Sequence, residues 1–493
     1  MAGSHLDALH RLTQQARDDL AALAHPTRRW LPPARTARGD AIDDVIIVGG
    51  GQSGLIIAAA LERDALDSVT VLDAEPAGLE GPWLRYARMA ELRTPKHLVG
   101  SELGIPSLAL HTWYDATHGP GAWDAVDRVP REEWRAYLAW YQSVTGVTVE
   151  NDTEVLDVRA GGDGHVVVHT VVAGQPIERH ARTVVLATGF EGAGGWQVPA
   201  FVSDALPADR YHHSCAPIDF ASLAGRRIGI LGHGASAFDN AIAALRAGAA
   251  SVDLCFRRER LPRVNPHRYL ESAGVMTHYS SLSDDTRWQI ARHFREHDQP
   301  PPLGSFRTAM TMPDLRLRPA TPWLSVALTE PDAPEATIAI DTPHGEIEVD
   351  HLILATGASV DLAARPELTT IAPRVQLWRH RYQPPAHEAD ERLAALPYLD
   401  HGFEFIPHSA DDAWVGRVFA FNFASAVSHG PHSTSISGHK HAIPRLVRGV
   451  TRRLLLDAEA TLVDDLKAYR SDDLPVDDDF EHTLHATPME AAR

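Results

Sequence analysis

Cysteine is scarce in this chain: 493 residues carry only Cys215 and Cys255, far apart and not in a C-x-x-C pair. That excludes a disulfide framework and a closely spaced redox dithiol, and it fits a reducing compartment. No apolar run reaches the roughly eighteen residues that a spanning helix needs, and the N-terminus lacks a secretory pattern. Basic residues are outnumbered, 46 Lys and Arg against 65 Asp and Glu, for a formal net charge of −19 with no long basic tract. Nucleic-acid binding is thereby disfavoured, and the acidic surplus reads as solubility. The expectation is a cytoplasmic protein with neither a membrane nor a nucleic-acid partner. Histidine is plentiful at 28, yet no pair stands at helical ligand spacing beside a supporting carboxylate, so no metal is expected.

What the chain does have is glycine in two special settings. The apolar run Asp44-Val45-Ile46-Ile47-Val48 leads into Gly49-Gly50-Gly51-Gln52-Ser53-Gly54 and then an apolar helix. Gly49 suits a tight turn, Gly51 lets a pyrophosphate approach the backbone, and Gly54 lets helix and strand pack closely. Gln52 and Ser53 open the helix, whose N-terminus attracts phosphate. The next strand, Val69 to Leu72, ends at Asp73, placed to accept hydrogen bonds from a ribose, with Glu75 in reserve. This is an FAD site.

The plan repeats from Arg227-Ile228-Gly229-Ile230-Leu231 through Gly232, Gly234, Ala235, Ser236 and Ala237, with alanine in the third small position. The strand that follows ends at Arg257-Arg258, so a guanidinium stands where the first site has a carboxylate. A guanidinium fork matches a ribose 2′-phosphate, which selects NADPH over NADH. Two nucleotides on one chain imply hydride transfer between them. Without a cysteine pair to receive the electrons, oxygen becomes the favoured acceptor.

The fold class is α/β, with two dinucleotide-binding, Rossmann-like domains, the NADPH domain inserted into the FAD domain. Residues 1–40 form a helical extension, with a helix from about Leu6 to Leu23. Residues 41–204 are the first part of the FAD domain, 205–345 the insertion, and 346–493 the return with C-terminal helices. An amphipathic helix over 128–142 buries Trp134, Tyr137, Leu138 and Tyr141 as core. The alternating segment 153–186 is a β-meander with a turn at Gly161–Gly164. Val155 on its first strand, and Thr188 and Gly189 after its last, are assigned to the flavin site. The ending Ala187-Thr188-Gly189 recurs as Ala355-Thr356-Gly357, so Thr356 and Gly357 join the cofactor contacts. The proline-rich stretch Gln299 to Pro322 is too long for a simple connection and is expected to wall the active site.

The paired fingerprints, the two Ala-Thr-Gly turns and Glu80-Gly81-Pro82-Trp83 resemble the class B flavoprotein monooxygenases, from Asp44 onward. Trp83 is assigned to the cofactor on that ground. The resemblance implies that NADPH reduces FAD, that oxygen is captured as a C4a-hydroperoxyflavin, and that a small amine or amino acid is N-oxygenated. Met89 to Lys96 is similar to a segment of amino-acid N-hydroxylases that gives a basic residue, here Lys96, to the substrate. Arg263-Val264-Asn265-Pro266 resembles their asparagine motif near nicotinamide and substrate, which makes Asn265 a candidate. By the same analogy the return stretch Phe421 to His439 closes over the flavin, with Asn422, Ser428 and His429 as candidates and a helix from near Ala442 aimed at the ring. Arg93 and Lys96 either pair with acidic groups or face the pocket, and the second case favours a carboxylate-bearing substrate such as L-aspartate, oxidised to nitrosuccinate. The Baeyer–Villiger fingerprint is not intact: only His213-Ser214 remains of it. Oxygenation at sulfur or a carbonyl, or a non-oxygenating NADPH:flavin oxidoreductase, are the alternatives. The partners implied are a small-molecule substrate, molecular oxygen and further copies of the same chain.

Overall fold

Two strands that each run into a glycine turn organise two separate sheets. The structure is a computed structural model describing residues 2–23, 29–330 and 336–471; Met1 and residues 24–28, 331–335 and 472–493, including the end of the expected C-terminal helical region, lie outside it. Helix α1 (Ala2–Ala22) precedes strand β1 (Ala41–Val48), helix α2 (Gln52–Arg63) and strand β2 (Val69–Leu72). Val45, Ile46 and Ile47 are fully buried, as β-branched residues are in a parallel strand covered on both faces. Helices α3 (Leu110–His118) and α4 (Arg131–Thr145) pack against α1, burying Leu12 and Ala16. The extension thus covers the first unit, and the Trp140 indole N–H donates to Thr13 Oγ1 at 3.0 Å. Trp134, Tyr137, Leu138 and Tyr141 are core, as the helical spacing predicts.

Strands β3 (Val149–Glu150), β4 (Thr153–Ala160), β5 (Val166–Val172) and β6 (Gln175–Leu186) complete the first sheet. Its order is β3-β2-β1-β6-β5-β4. The nucleotide half is parallel, whereas β4, β5 and β6 form the expected antiparallel meander. Val155 on β4 is buried in the apolar cluster beneath this sheet.

The second unit holds β7 (Tyr211–His213), β8 (Arg227–Leu231), helix α5 (Ala235–Arg246) and β9 (Ser251–Cys255). After them come α6 (His267–Leu270), α7 (Ala273–His278), α8 (Asp284–His297) and α9 (Leu303–Met310). Strand β10 (Leu315–Arg318) and the ribbon β11 (Ser325–Leu328), β12 (Ile338–Asp341) and β13 (Ile347–Val349) lead to β14 (His351–Leu354). The parallel order is β10-β9-β8-β14-β7.

Two expectations need correction here. Strand β14 pairs with β8 and β7, so the second unit runs past 345 to Leu354. Its hydrophobic run could not show which sheet it joins. The stretch Gln299 to Pro322 holds α9 and the edge strand β10, and Phe306 packs 5.9 Å from Phe238 of α5. It closes the second unit's own core and supplies none of the lining of the cleft between segments 270–279 and 429–438.

The chain crosses between the units twice, and the two crossings are bonded together. Gln197 N–H donates to Gly357 O at 2.8 Å and Ser359 N–H to Gly195 O at 2.7 Å, with Trp196 and Ala358 paired between them. The return adds β15 (Val418–Ala420), parallel to β6, and then helix α10 (His439–Asp457), which starts just before the expected Ala442.

Candidate functional site

The first turn is built by close approach. Gly49 has φ +105°, and a Cβ there would lie 2.6 Å from Ala187 O; one on Gly54 would lie 1.9 Å from Gly49 O. Gly51 faces the Cα of Gly81, 3.5 Å from where its own Cβ would be. Beside Gly81, the buried Trp83 Nε1–H has no hydrogen-bond partner among the described residues. Asp73 is buried and accepts from Gly50 N–H at 2.7 Å and Glu75 N–H at 2.8 Å. Desolvation pushes its carboxyl above the ordinary range, against those two hydrogen bonds. Glu75 is paired instead with Arg85 at 2.7 Å. Gln52 and Ser53 open α2, and Ser53 Oγ meets His439 Nε2 of α10 at 3.1 Å, so the first turns of both helices adjoin. Thr188 Oγ1 accepts from Asn422 Nδ2 at 3.0 Å, beside Gly189. A glycine cradle at a helix N-terminus with an unpaired indole donor fits the pyrophosphate of a dinucleotide.

The second turn is more open. Gly232, with φ +138°, again needs to lack a side chain, since a Cβ would lie 2.5 Å from Ala355 O. A Cβ on Gly234 would meet nothing within 4 Å, and Gly234 caps α5, whose first residues are Ala235 and Ser236, without a side-chain cap. The N–H groups at that end are left for an anion. Ala237 is fully buried where the first turn has Gly54. Arg257 is exposed and has no ion-pair or hydrogen-bond partner among the described residues. Arg258 is held by Glu296 O at 2.7 Å and Asp298 at 2.9 Å. Of the two arginines, Arg257 is the one free to meet a 2′-phosphate. Thr356 and Gly357 lie in the crossing ribbon, where the Thr356 hydroxyl donates to Gln197 O.

Residues 81–98 of the first unit reach across to the second. Arg88 donates to Ala216 O at 2.6 Å and to Ser214 O at 3.4 Å, and its guanidinium lies 5.4 Å from the Phe220 ring centroid. Arg93 pairs with the buried Asp239 of α5 at 2.9 Å, and Asp239 also accepts from Ser305 Oγ at 2.6 Å. Lys96 donates to Trp123 O at 2.6 Å and lies over the Trp123 ring. Arg93 is spent on the other unit and Lys96 on its own.

A cleft forms where the inserted segment 265–281 meets the return turn 429–438. Leu270, Val275, Met276 and Tyr279 line one side, and His429 to Ser433 the other. Asn265 Oδ1 accepts the His267 N–H at 3.1 Å, and the ring Nε2 of His432 donates to His267 O at 3.1 Å. The two histidine rings stand edge-on, 5.2 Å apart. Burial pushes His267 down to about 4 and His432 below the ordinary imidazole range, so both are neutral at pH 7. Arg445, which does not line the cleft, donates to Ser280 Oγ at 2.8 Å, and its buried Nε and Nη2 have no acceptor among the described residues. Burial lowers Arg445 to about 10, and it remains a cation.

Of the residues singled out on the return, three are engaged in holding it. Asn422 caps the turn at Ala424 while bonding Thr188. Ser428 Oγ accepts from the Trp378 indole and from Leu399 N–H, each at 3.1 Å. His429 donates to Asp400 O at 3.0 Å, stacks 3.6 Å from Phe403, and only edges the cleft. Asn265 and His432, the latter not among the sequence candidates, each bond the backbone of His267. His267, Arg88 and Asp239 are additions; no local pattern marks them, because each acts on a partner far away in sequence.

Comparison with known proteins places this geometry. A model described as FAD-NAD(P)-binding matches residues 46–191, and one described as L-lysine 6-monooxygenase/L-ornithine 5-monooxygenase matches residues 124–299. The chain is 41% identical over 463 residues to the FAD-dependent urate hydroxylase of Xanthomonas campestris pv. campestris, covering 94% of this chain and 96% of that one. Its fold is that of the ornithine hydroxylase of Pseudomonas aeruginosa, with a TM-score of 0.63 at 17% identity over 84% of this chain and 100% of the other. The ornithine N-hydroxylase of Kutzneria sp. 744, solved with reduced FAD, NADP+ and L-ornithine, gives 0.63 at 18% identity, covering 84% and 99%.

Proposed function

Since the chain belongs to the class B flavoprotein monooxygenases, we propose that it uses FAD, NADPH and oxygen to hydroxylate a small, nitrogen-rich anion, with urate the first candidate. The observation that carries the substrate is the likeness to the urate hydroxylase over nearly the full length of both chains. The cleft supports it: the neutral ring of His432 on one wall, with the side chains of Leu270, Met276 and Tyr279 on the other, suits a flat nitrogen-rich ring better than a flexible ammonium.

Reduced FAD supplies the oxygen-activating chemistry when bound. The chain's own part is to cradle the two pyrophosphates at the starts of α2 and α5, to hold the units in register through Arg88 and Arg93, and to seat the substrate in the cleft. Arg257 is the contact for the 2′-phosphate.

N-hydroxylation of an amine is the second reading, favoured by the lysine/ornithine family match and by Asn265, which holds the His267 backbone that His432 of the cleft wall also bonds. The case for aspartate is weakened, because neither Arg93 nor Lys96 faces the cleft. The deciding experiment incubates holoenzyme with NADPH, oxygen and, separately, urate, L-ornithine, L-lysine and L-aspartate. Urate consumption matched to NADPH oxidation is the expected result. Hydroxylamine from an amino acid would select the second reading, and hydrogen peroxide alone with all four would defeat both.

A further inference from the structure

His432 is a histidine whose two ring nitrogens the fold has sorted. A carbonyl oxygen has no proton to give, so at the 3.1 Å contact with His267 O it is His432 Nε2 that carries the hydrogen. In the neutral ring Nδ1 is then a bare acceptor, and among the described residues nothing donates to it. The ring itself lines the cleft, together with Leu270, Met276 and Tyr279. Ser433 beside it is tied to Ser425 Oγ at 2.9 Å, which fixes the turn that carries the ring.

We propose that His432 Nδ1 is the general base that takes a proton from nitrogen of the bound substrate. This rests on the hydroxylase reading above and deepens it. With urate, a ring N–H bond breaks, the Nδ1–H bond forms, and the electron pair stays in the purine π-system, making its carbon framework more nucleophilic. With an ammonium substrate the same transfer leaves the lone pair on nitrogen. In either case the proton passes from His432 to water after the substrate has reacted, and the ring returns to its starting tautomer.

The charged and titratable groups that act on His432 are His267, Arg268 and Glu271 of the inserted segment, with Tyr279 and His429 on the walls. Burial is the largest influence and favours the unprotonated ring; Glu271 acts the other way. A base held neutral in this way works over the whole neutral range.

The test is His432→Gln, because a glutamine amide can keep the donor to His267 O while removing the base. With urate and with L-ornithine the expected result is a fall in kcat of about 10²- to 10³-fold at pH 7, with KM moving less than about threefold. The wild-type acid limb, lying below the ordinary imidazole pKa of about 6.5, should vanish, and the variant's rate should climb with pH. A kcat within threefold of wild type, or a loss equal at every pH, overturns the proposal. If the wild-type enzyme hydroxylates neither compound, the substrate reading fails separately, and nitrogen-15 histidine NMR decides the base. An Nε2–H tautomer of His432 at pH 7 sustains it, and an Nδ1–H tautomer or an imidazolium ends it.

Discussion

Asp73 and Arg257 follow equivalent strands in two units of like plan, and their surroundings are opposite. Asp73 is folded back under its own turn by two backbone N–H groups, while Arg257 is exposed with no ion-pair or hydrogen-bond partner among the described residues. The helices differ in the same sense. A methyl group at Gly54 would overlap Gly49 O at 1.9 Å, whereas Ala237 occupies the corresponding place with its methyl buried. The first unit is closed tightly around its turn and the second left open, as suits one nucleotide that stays and one that comes and goes.

The sharpest way to break that comparison is to exchange the third small residues. Gly54→Ala should cost about 3 kcal/mol or more by overpacking and abolish FAD retention, read by thermal unfolding and flavin absorbance. Ala237→Gly should cost only about 1 kcal/mol. Equal losses would mean that the two helices approach their strands alike.

Next is Arg257→Ala. Loss of a charge-assisted hydrogen-bond pair worth about 1.5–3 kcal/mol should raise the Kd for NADPH roughly ten- to hundredfold and leave that for NADH unmoved. Parallel weakening of both would remove the 2′-phosphate from this residue.

Acid should then separate the second unit and the return from the first nucleotide turn. His213, His267, His351 and His439 are pushed down to about 4 by burial, and burial also holds His429 well below the ordinary imidazole range. The unfolded chain binds protons at these histidines from about pH 6.5 downward and the folded one does not, so stability falls as pH drops from there to about 4. Asp44 and Asp73 of the first unit are raised by burial, which works in the opposite direction. Hydrogen exchange at pH 5 should therefore loosen β7, β14 and the return before β1 and β2; loss of protection in the reverse order would contradict the assignment.

The smallest effect should come from the bridge between units. Arg93 is partly exposed, at 44%, and Asp239 only 4%, so Arg93→Ala should cost about 1 kcal/mol after screening. Arg93→Ala and Asp239→Asn combined should cost less than the sum of the two, whereas strict additivity would show that the pair does not couple.

The two units were legible in the sequence because a strand, a glycine turn and a helix are local. The buried aromatic face of α4 and the antiparallel meander were legible for the same reason. The end of the insertion was not: β14 is apolar enough for either sheet, and its pairing with β8 is decided by distant chain. The return stretch was less legible. Ser428 and His429 look like site residues in a run of small polar groups, but Trp378, Leu399 and Asp400, which engage them, lie elsewhere in the chain. Asn265 was found through a resemblance, while His267 beside it showed its value only through its backbone oxygen.

The doubled crossing between the units has a mechanical consequence. Two strands of chain laced by hydrogen bonds at Gly195, Gln197, Gly357 and Ser359 form one strap instead of two independent linkers. Any movement of one unit against the other has to bend both crossings together, because hydrogen bonds join them.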